Sequence, residues 1–427
     1  MEIITSSLAL PMTNSGHAIK DGAVAFEFGK IHAFGPIDEV RKKYPDAPVK
    51  SFSGCVLMPG LVNCHCHLDL VSYYEPLVPQ DEMFPEQIDF IENLISSIDY
   101  KQDTDASFVI DGIQKGILRL IETGVTCVGD MTHFEGTFKL LREMGLRAVV
   151  FPEILAGQSE AAQQCFEVAL ALLEKYTDAT HDRIRVGLGP YAPYLLSKNL
   201  LRIISEHAKE ISVPLMIHAA ESFAEMEFFF DSQGPIATEV FPSLGWTELP
   251  PAHRKTPVGF LADIGFFEAP TAIVGGMHLS ANDFPLLARN LVRVAYCPSF
   301  NKIMKHGKFP YGKLVEHGIP VGLGTESWHS RLGFNMWEEM RIAAQYGACP
   351  LPTYKEVLHL ATLGSARVLG LDHVIGTLEA GKKADFIVVH NPDALACDEE
   401  FYEKLVKNTD PQHIKMVVVN GNYLKSI

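Results

Sequence analysis

The run Met58-Pro59-Gly60-Leu61-Val62-Asn63-Cys64-His65-Cys66-His67 sets two imidazoles two residues apart at the end of an apolar stretch. Side chains at i and i+2 of a strand share a face, so His65 and His67 can converge on one ion. Imidazole suits zinc and the other transition metals that accept nitrogen and oxygen donors. Cys64 and Cys66 alternate with the histidines and are expected to face away, into packing. The bland alternative is a pair of incidental histidines in a cysteine-rich patch, and the Pro-Gly turn and apolar strand before them argue against it.

Three further groups close later apolar runs. His218 ends "VPLMIH", with Glu221 three residues on; His278 ends "AIVGGMH"; Glu326 follows "PVGLGT". Each alone has an ordinary structural explanation, such as a hydrogen-bonded core histidine. Four histidines and two acids at four strand ends are hard to explain by packing. Another apolar run ends Gly187-Leu188-Gly189-Pro190-Tyr191 without a lysine. Two-metal barrels commonly bridge their ions there with a carboxylated lysine, so a single metal is expected.

Groups placed at strand ends need parallel strands to carry them. Short runs rich in Val, Ile, Leu and Gly at 56–62, 125–131, 147–154, 184–191, 214–219, 271–278, 292–298 and 320–325 each lead into a helix-like stretch. Continuous apolar strands alternating with amphipathic helices indicate a buried parallel sheet, and eight such units predict an α/β fold of the (β/α)₈ TIM-like barrel type with its chemistry at the C-terminal mouth. The two ends read differently. Residues 1–55, as in "AVAFEFGKIHAFG", and the stretches "GTLEAGKKADFIVVH" and "IKMVVVNGNYL" alternate apolar and polar around turns, as antiparallel strands do. They are expected to meet in one small β-sandwich domain, 1–55 with 372–427, beside a barrel over 56–371. The Pro- and Gly-containing stretch 233–256 reads as an insertion loop between the fifth and sixth units that shapes the rim.

Composition narrows the partners. With 36 Lys and Arg against 52 Asp and Glu, the net charge of −16 lacks the basic surface a nucleic-acid backbone requires. No apolar run reaches the ~20 residues that span a bilayer, so no membrane partner is expected and a small molecule is. The first residues lack the basic start of a signal peptide, and the eight scattered cysteines read as reduced thiols, so the expected location is cytoplasmic.

These residues, in this order, resemble the amidohydrolase superfamily, in its one-metal deaminase and chlorohydrolase branch, from "KIHAFGP" and "MPGLVNCHCH" to "GTLEAGKKADFIVV". Within that branch, "YAPYLLSKNLL", "IHAAESFAEMEFF", "AYCPSFN" and "FNMWEEMR" are similar to aminodeoxyfutalosine deaminases, which serve menaquinone biosynthesis. The resemblance implies that His65, His67, His218 and Glu326 bind one divalent metal ion, zinc or iron foremost. It implies that Glu221 carries a proton to a ring nitrogen, that His278 orients the attacking water, and that Glu326 accepts that water's proton. Asp69, Tyr191, Asn301 and Trp328 are the candidate substrate-binding residues, although Asp69 reads equally well as a backbone-bonding acid. A divalent ion lowers the pKa of bound water toward ~7. The reaction implied is hydroxide attack on an amidine-like carbon, such as C6 of an adenine ring, with a carboxyl group moving protons and ammonia leaving.

Four features depart from the family pattern. Glu326 stands where aspartate is usual, Tyr191 where histidine is usual, and Phe300 where the family has a small or polar residue. "SWHSR" puts Trp328, His329 and Arg331 after Glu326, where His329 reads as an extra ligand or base, or as a surface-loop residue. Two other readings therefore stay open: a hydrolase of another heterocycle of guanine, cytosine or triazine type, and a non-catalytic metal-binding relative. Ammonia or halide release separates the first, and tight binding without turnover marks the second. The assembly is open between a monomer and the homodimer common among relatives.

Overall fold

The computed structural model describes all residues except Ser15, 78–88, 156–158, 178–181, 329–332, 392–397 and Ile427, and the side chains of Gln102 and 159–162. The chain opens with β1 (Glu2–Ala9), β2 (Ile19–Glu27), β3 (Lys30–Pro36) and β4 (Val49–Pro59). It continues through β5 (Leu61–Cys66), β6 (Val125–Thr132), β7 (Arg147–Ile154), β8 (Ile184–Val186), the two-residue β9 (Gly189–Pro190), β10 (Leu215–Ala219), β11 (Thr271–Gly275), β12 (Arg293–Tyr296) and β13 (Val321–Leu323), and ends with β14 (Phe386–His390), β15 (Ile414–Val419) and β16 (Asn422–Ser426).

Strands β5 to β8 and β10 to β13 form two parallel runs in sequence order. Main-chain bonds join them at both seams. Leu188 N donates to Pro214 O (3.0 Å) and Met216 N to Leu188 O (3.1 Å), while Thr325 N donates to His65 O (2.9 Å) and His67 N to Glu326 O (2.7 Å). These bonds link the two runs into a ring, as a closed barrel requires. All eight residues of β6 are buried, which is why these strands read as unbroken apolar runs. Helices cover the outside. Lys198–Glu210 begins where Ser197 accepts from Leu200 N, and it turns Leu200, Leu201, Ile204 and Ala208 inward at helical spacing.

Two strand boundaries differ from expectation, each at a glycine. The apolar run 56–62 is split between two sheets, with Val56–Pro59 in β4 pairing with β14 and the barrel strand starting at Leu61. At the crossover, a Cβ on Gly60 would sit 2.1 Å from the Thr126 side chain. Likewise 184–191 breaks into β8 and β9, where a Cβ on Gly187 would meet Phe151 and Pro214 O at 2.5 Å. The stretch 233–256 also carries helical turns, Ile236–Val240 and Phe241–Ser243, rather than loop alone.

The two chain ends share one seven-stranded sheet, ordered β16-β15-β14-β4-β1-β2-β3. The sheet curls over itself: Phe26 on β2 and Phe386 on β14 are separated by two strands, β1 and β4, yet their ring centroids are 5.2 Å apart. A bridge between Lys30 and Lys383 closes the curl. The expected sandwich thus takes the form of one curled sheet around one apolar core, not two separate sheets. It is tied to the barrel by a buried, two-pronged ion pair in which Arg147 of β7 donates through Nε (2.6 Å) and Nη2 (3.1 Å) to Asp385.

Candidate metal centre

His65 and His67 leave the end of β5, His218 is the fourth residue of β10, and Glu326 follows β13. The barrel brings these four side chains together, buried, with ligand atoms within 4.8 Å of one another. Ring centroids lie 5.0 Å apart for His65 and His67, and 4.9 Å apart for His65 and His218. The register of β5 against β6 shifts between Asn63 and Cys66. As a result Cys64 packs inside the barrel and Cys66 on the helix side. The expectation that both thiols share the side opposite the histidines needs that correction, although both are buried and burial pushes the Cys64 thiol up to about 12.

Glu326 has φ 63°, a left-handed backbone that costs a non-glycine residue about 1–2 kcal/mol. It is held there by main-chain bonds to β5: Glu326 N donates to His65 O (3.2 Å) and Glu326 O accepts from His67 N (2.7 Å). From this turn its carboxylate reaches His65 Nε2 (3.0 Å), His67 Nε2 (3.4 Å) and His218 Nε2 (3.9 Å). The methylene by which it exceeds aspartate does not carry it away from the imidazoles. Burial alone would raise this carboxyl, but the His65 and His218 rings hold it well below the usual range. Burial lowers His65 to about 4, leaving it neutral as ligation requires. At His218 burial opposes charge, yet the Glu326 and Glu221 carboxylates raise it to about 9.

The donor set fits a divalent ion. Three imidazoles and one carboxylate converge in a buried space, and His65 Nε2 and Glu326 Oε2 face each other at 3.0 Å without hydrogen-bond geometry, with no other partner among the described residues. Buried polar atoms without partners are uncommon and costly, and an ion shared by all four would satisfy them.

Glu221 stands next to the cluster, Oε2 3.5 Å from His218 Nδ1. Its other oxygen faces Asn301 Nδ2 (3.4 Å) and His306 Nδ1 (3.8 Å). Its main-chain N donates to buried Glu225 Oε2 (2.9 Å). The Tyr191 ring tilts against His218 at 4.9 Å and reaches His67 at 6.1 Å. His278, half-buried, does not join the ligand cluster, and its Nε2 has no partner among the described residues.

Two candidates differ from expectation. Asp69 Oδ2 is taken by Thr132 Oγ1 (3.0 Å), His133 N (2.8 Å) and His133 Nδ1 (2.5 Å), so the structural reading of this acid describes it. Trp328 is 8% exposed and packs on Phe334 at 5.8 Å and against Gly333, a core position among the described residues. His329 and Arg331 lie outside the described residues.

Sequence reasoning missed His133, Glu153, Lys101 and His306. Glu153 lies 4.0 Å from His67 Nδ1 and is ion-paired with Lys101, whose ammonium stands 5.1 Å from the Tyr191 ring centre. His133 and Glu153 close the second and third barrel strands, so the strand-end rule applied to His218 would have found them. Lys101 comes from the helix Phe90–Asp103 and His306 from a loop, and neither carries a local signal.

The Amidohydrolase family model matches residues 56–424. The chain belongs to the amidohydrolase family. A 5-methylthioadenosine/S-adenosylhomocysteine deaminase of Desulforudis audaxviator is 30% identical, covering 98% of this chain and 92% of that one. Among solved structures, the Helicobacter pylori aminofutalosine deaminase in complex with methylthio-coformycin superposes with a TM-score of 0.85 at 22% identity, covering 99% of this chain and 100% of that one. An adenosine deaminase of Xanthomonas campestris with bound zinc gives a TM-score of 0.84 at 23% identity, covering 99% and 92%. At those identities the structural likenesses establish the fold.

Proposed function

We propose that this amidohydrolase is a one-metal hydrolytic deaminase of an adenine-type nucleoside. The observation that carries the reading is Glu221: a buried carboxylate, unpaired with any Lys or Arg among the described residues, 3.5 Å from a histidine of the ligand cluster. Removing an amino group from a ring carbon needs a group that protonates the ring nitrogen and then the departing amine, and a carboxyl at the edge of the centre can do both.

In this reading His65, His67, His218 and Glu326 hold the ion, zinc or iron by donor type, which when bound supplies Lewis acidity and a water of lowered pKa. Glu326 accepts the proton of the attacking water, Glu221 passes one to the ring nitrogen, and His278 orients the water. Tyr191 and Asn301 flank the substrate. Asp69 acts by holding His133, and Trp328 supports the wall from within. The substrate class rests on the curated relatives, 5-methylthioadenosine/S-adenosylhomocysteine deaminases at 27–30% identity over most of the chain. Within that class, aminodeoxyfutalosine, and with it a place in menaquinone biosynthesis, is the narrower reading that the internal stretches support. We further propose that the curled sheet of both ends and the 56–371 barrel are separate domains, that the protein acts in the cytoplasm, and that it forms a homodimer. No helix among the described residues is long and apolar enough to cross a membrane.

The test is ammonia release by metal-loaded protein from adenosine, 5-methylthioadenosine, S-adenosylhomocysteine and aminodeoxyfutalosine, with guanine, cytosine and a chlorinated triazine alongside. Turnover confined to the adenine compounds supports the class, and their ranking picks the member. Turnover of only guanine, cytosine or triazine contradicts it.

A further inference from the structure

Behind Glu221 lies a buried imidazole that the metal centre does not use. His306 is 4% exposed, with Phe90 edge-on to its ring at 4.6 Å and Phe300 at 6.0 Å. Its Nδ1 stands 3.2 Å from Asn301 Nδ2 and 3.8 Å from Glu221 Oε1. Its main-chain N donates to Asn301 O (3.0 Å), so the two residues are tied through backbone as well.

The chemistry of these atoms fixes who donates. An amide nitrogen only donates, and Asn301 turns its Nδ2 to Glu221 Oε1 at 3.4 Å. The same NH₂ has a second hydrogen, and the atom beside it is His306 Nδ1. Two nitrogens at 3.2 Å share a hydrogen bond only if one carries a lone pair. His306 therefore accepts at Nδ1 and holds its ring proton on Nε2, which has no hydrogen-bond partner among the described residues. Each amide hydrogen then has an assigned acceptor: one the Glu221 carboxylate, the other His306. Without the second acceptor, the amide loses what distinguishes its present orientation from a flip that would turn Oδ1 toward the carboxylate.

We infer that His306 is a positioning residue for proton transfer, acting through Asn301 to hold the Glu221 carboxylate in line with the substrate ring. The assignment rests on the deaminase reading for its kinetic consequence but not for its geometry. Asn301 is buried completely and its Oδ1 has no partner among the described residues, so nothing described on the other side of the amide opposes a flip. Glu225, which accepts from Glu221 N (2.9 Å), fixes the main chain of the same residue. His306 and Asn301 thus supply the restraint on the side chain that Glu225 does not.

Two variants and one spectrum test this. H306F keeps a ring between Phe90 and Phe300 but has no acceptor; H306N puts a carbonyl oxygen near the place of Nδ1. With metal content and Tm checked for each, kcat of H306F is expected to fall ~10–100-fold, the scale of an ~1 Å misplacement. Its KM should change little, and H306N should recover most of the loss. Equal kcat in wild type and H306F overturns the role, as does an equal fall in H306F and H306N. Selective ¹⁵N-histidine labelling, with the His306 signal assigned by its absence in H306N, reads the tautomer without any substrate. The Nε2–H form is expected, and an Nδ1–H form overturns the inference even if H306F fails to fold. A wild type inactive on every adenine compound would sink the deaminase reading instead, leaving the tautomer to decide the geometry of His306.

Discussion

Two buried clusters of charged groups occupy opposite ends of the barrel, and they are built in contrary ways. At the seam with the curled sheet, Asp385 receives two donors from Arg147 and a third from Asn420 N (2.8 Å), and Arg147 Nη1 donates to Asp182 O (3.1 Å). At the opposite end, His65, His67, His218 and Glu326 crowd together with polar atoms left unpaired. In the first cluster both oxygens of the Asp385 carboxylate are occupied by donors. A buried ionic group is costly unless its partners are in place, and a cation shared by the four groups of the second would supply one. The contrast separates scaffold from site more sharply than burial or charge, which both clusters share.

Substitutions should split along the same line. The largest effect is expected at the unpaired cluster: His65→Ala should bring deamination to background and remove stoichiometric metal, read by elemental analysis. Adding zinc to the stripped wild type should raise Tm, and adding it to His65→Ala should not. The reverse pattern is expected at the seam. Arg147→Met leaves Asp385 buried without its countercharge and should cost about 3–5 kcal/mol in denaturant unfolding, with kcat per folded, metal-loaded molecule unchanged. If Arg147→Met spares stability and His65→Ala collapses it, the division of roles is wrong.

A smaller effect should come from an acid that fits neither pattern. Glu339 is buried and accepts from Ser299 N (2.9 Å) and Ser299 Oγ, and burial raises its carboxyl to about 8 despite those donors. A carboxyl with a raised folded-state pKa binds its proton more tightly folded than unfolded. Its contribution to stability is therefore full below the unfolded value near 4.5 and falls away as pH rises toward about 8. Glu339→Gln should flatten the decline of stability between those limits. An unchanged slope would show that Glu339 is ionised throughout.

The ring of strands was legible because most residues of the barrel strands are buried, Arg185 on β8 being an exposed exception, and the strands read as apolar runs. The His65–His67 pair, His218 and Glu326 were legible because strand ends are where such runs give way to polar groups. Boundaries at Gly60 and Gly187 were not, because a contact with Thr126 or Phe151 decides them and neither neighbour is close in sequence. The curl of the terminal sheet hangs on Phe26 meeting Phe386, a contact across nearly the whole chain. The surroundings of Trp328 and Asp69 were not legible for a related reason: the direction of each side chain is set by Phe334 and by His133. His306 was invisible since its meaning depends on which hydrogen Asn301 points at it.

The central claim is that Glu221 moves protons at a metal-assisted centre, and Glu221→Gln tests it most directly. Ammonia release from adenosine, 5-methylthioadenosine and aminodeoxyfutalosine should be compared for wild type and Glu221→Gln carrying equal metal. A fall in kcat of ~10²–10⁴-fold, the usual contribution of general acid–base catalysis, with metal and fold intact, is the predicted result. A variant that deaminates as fast as wild type would contradict the account.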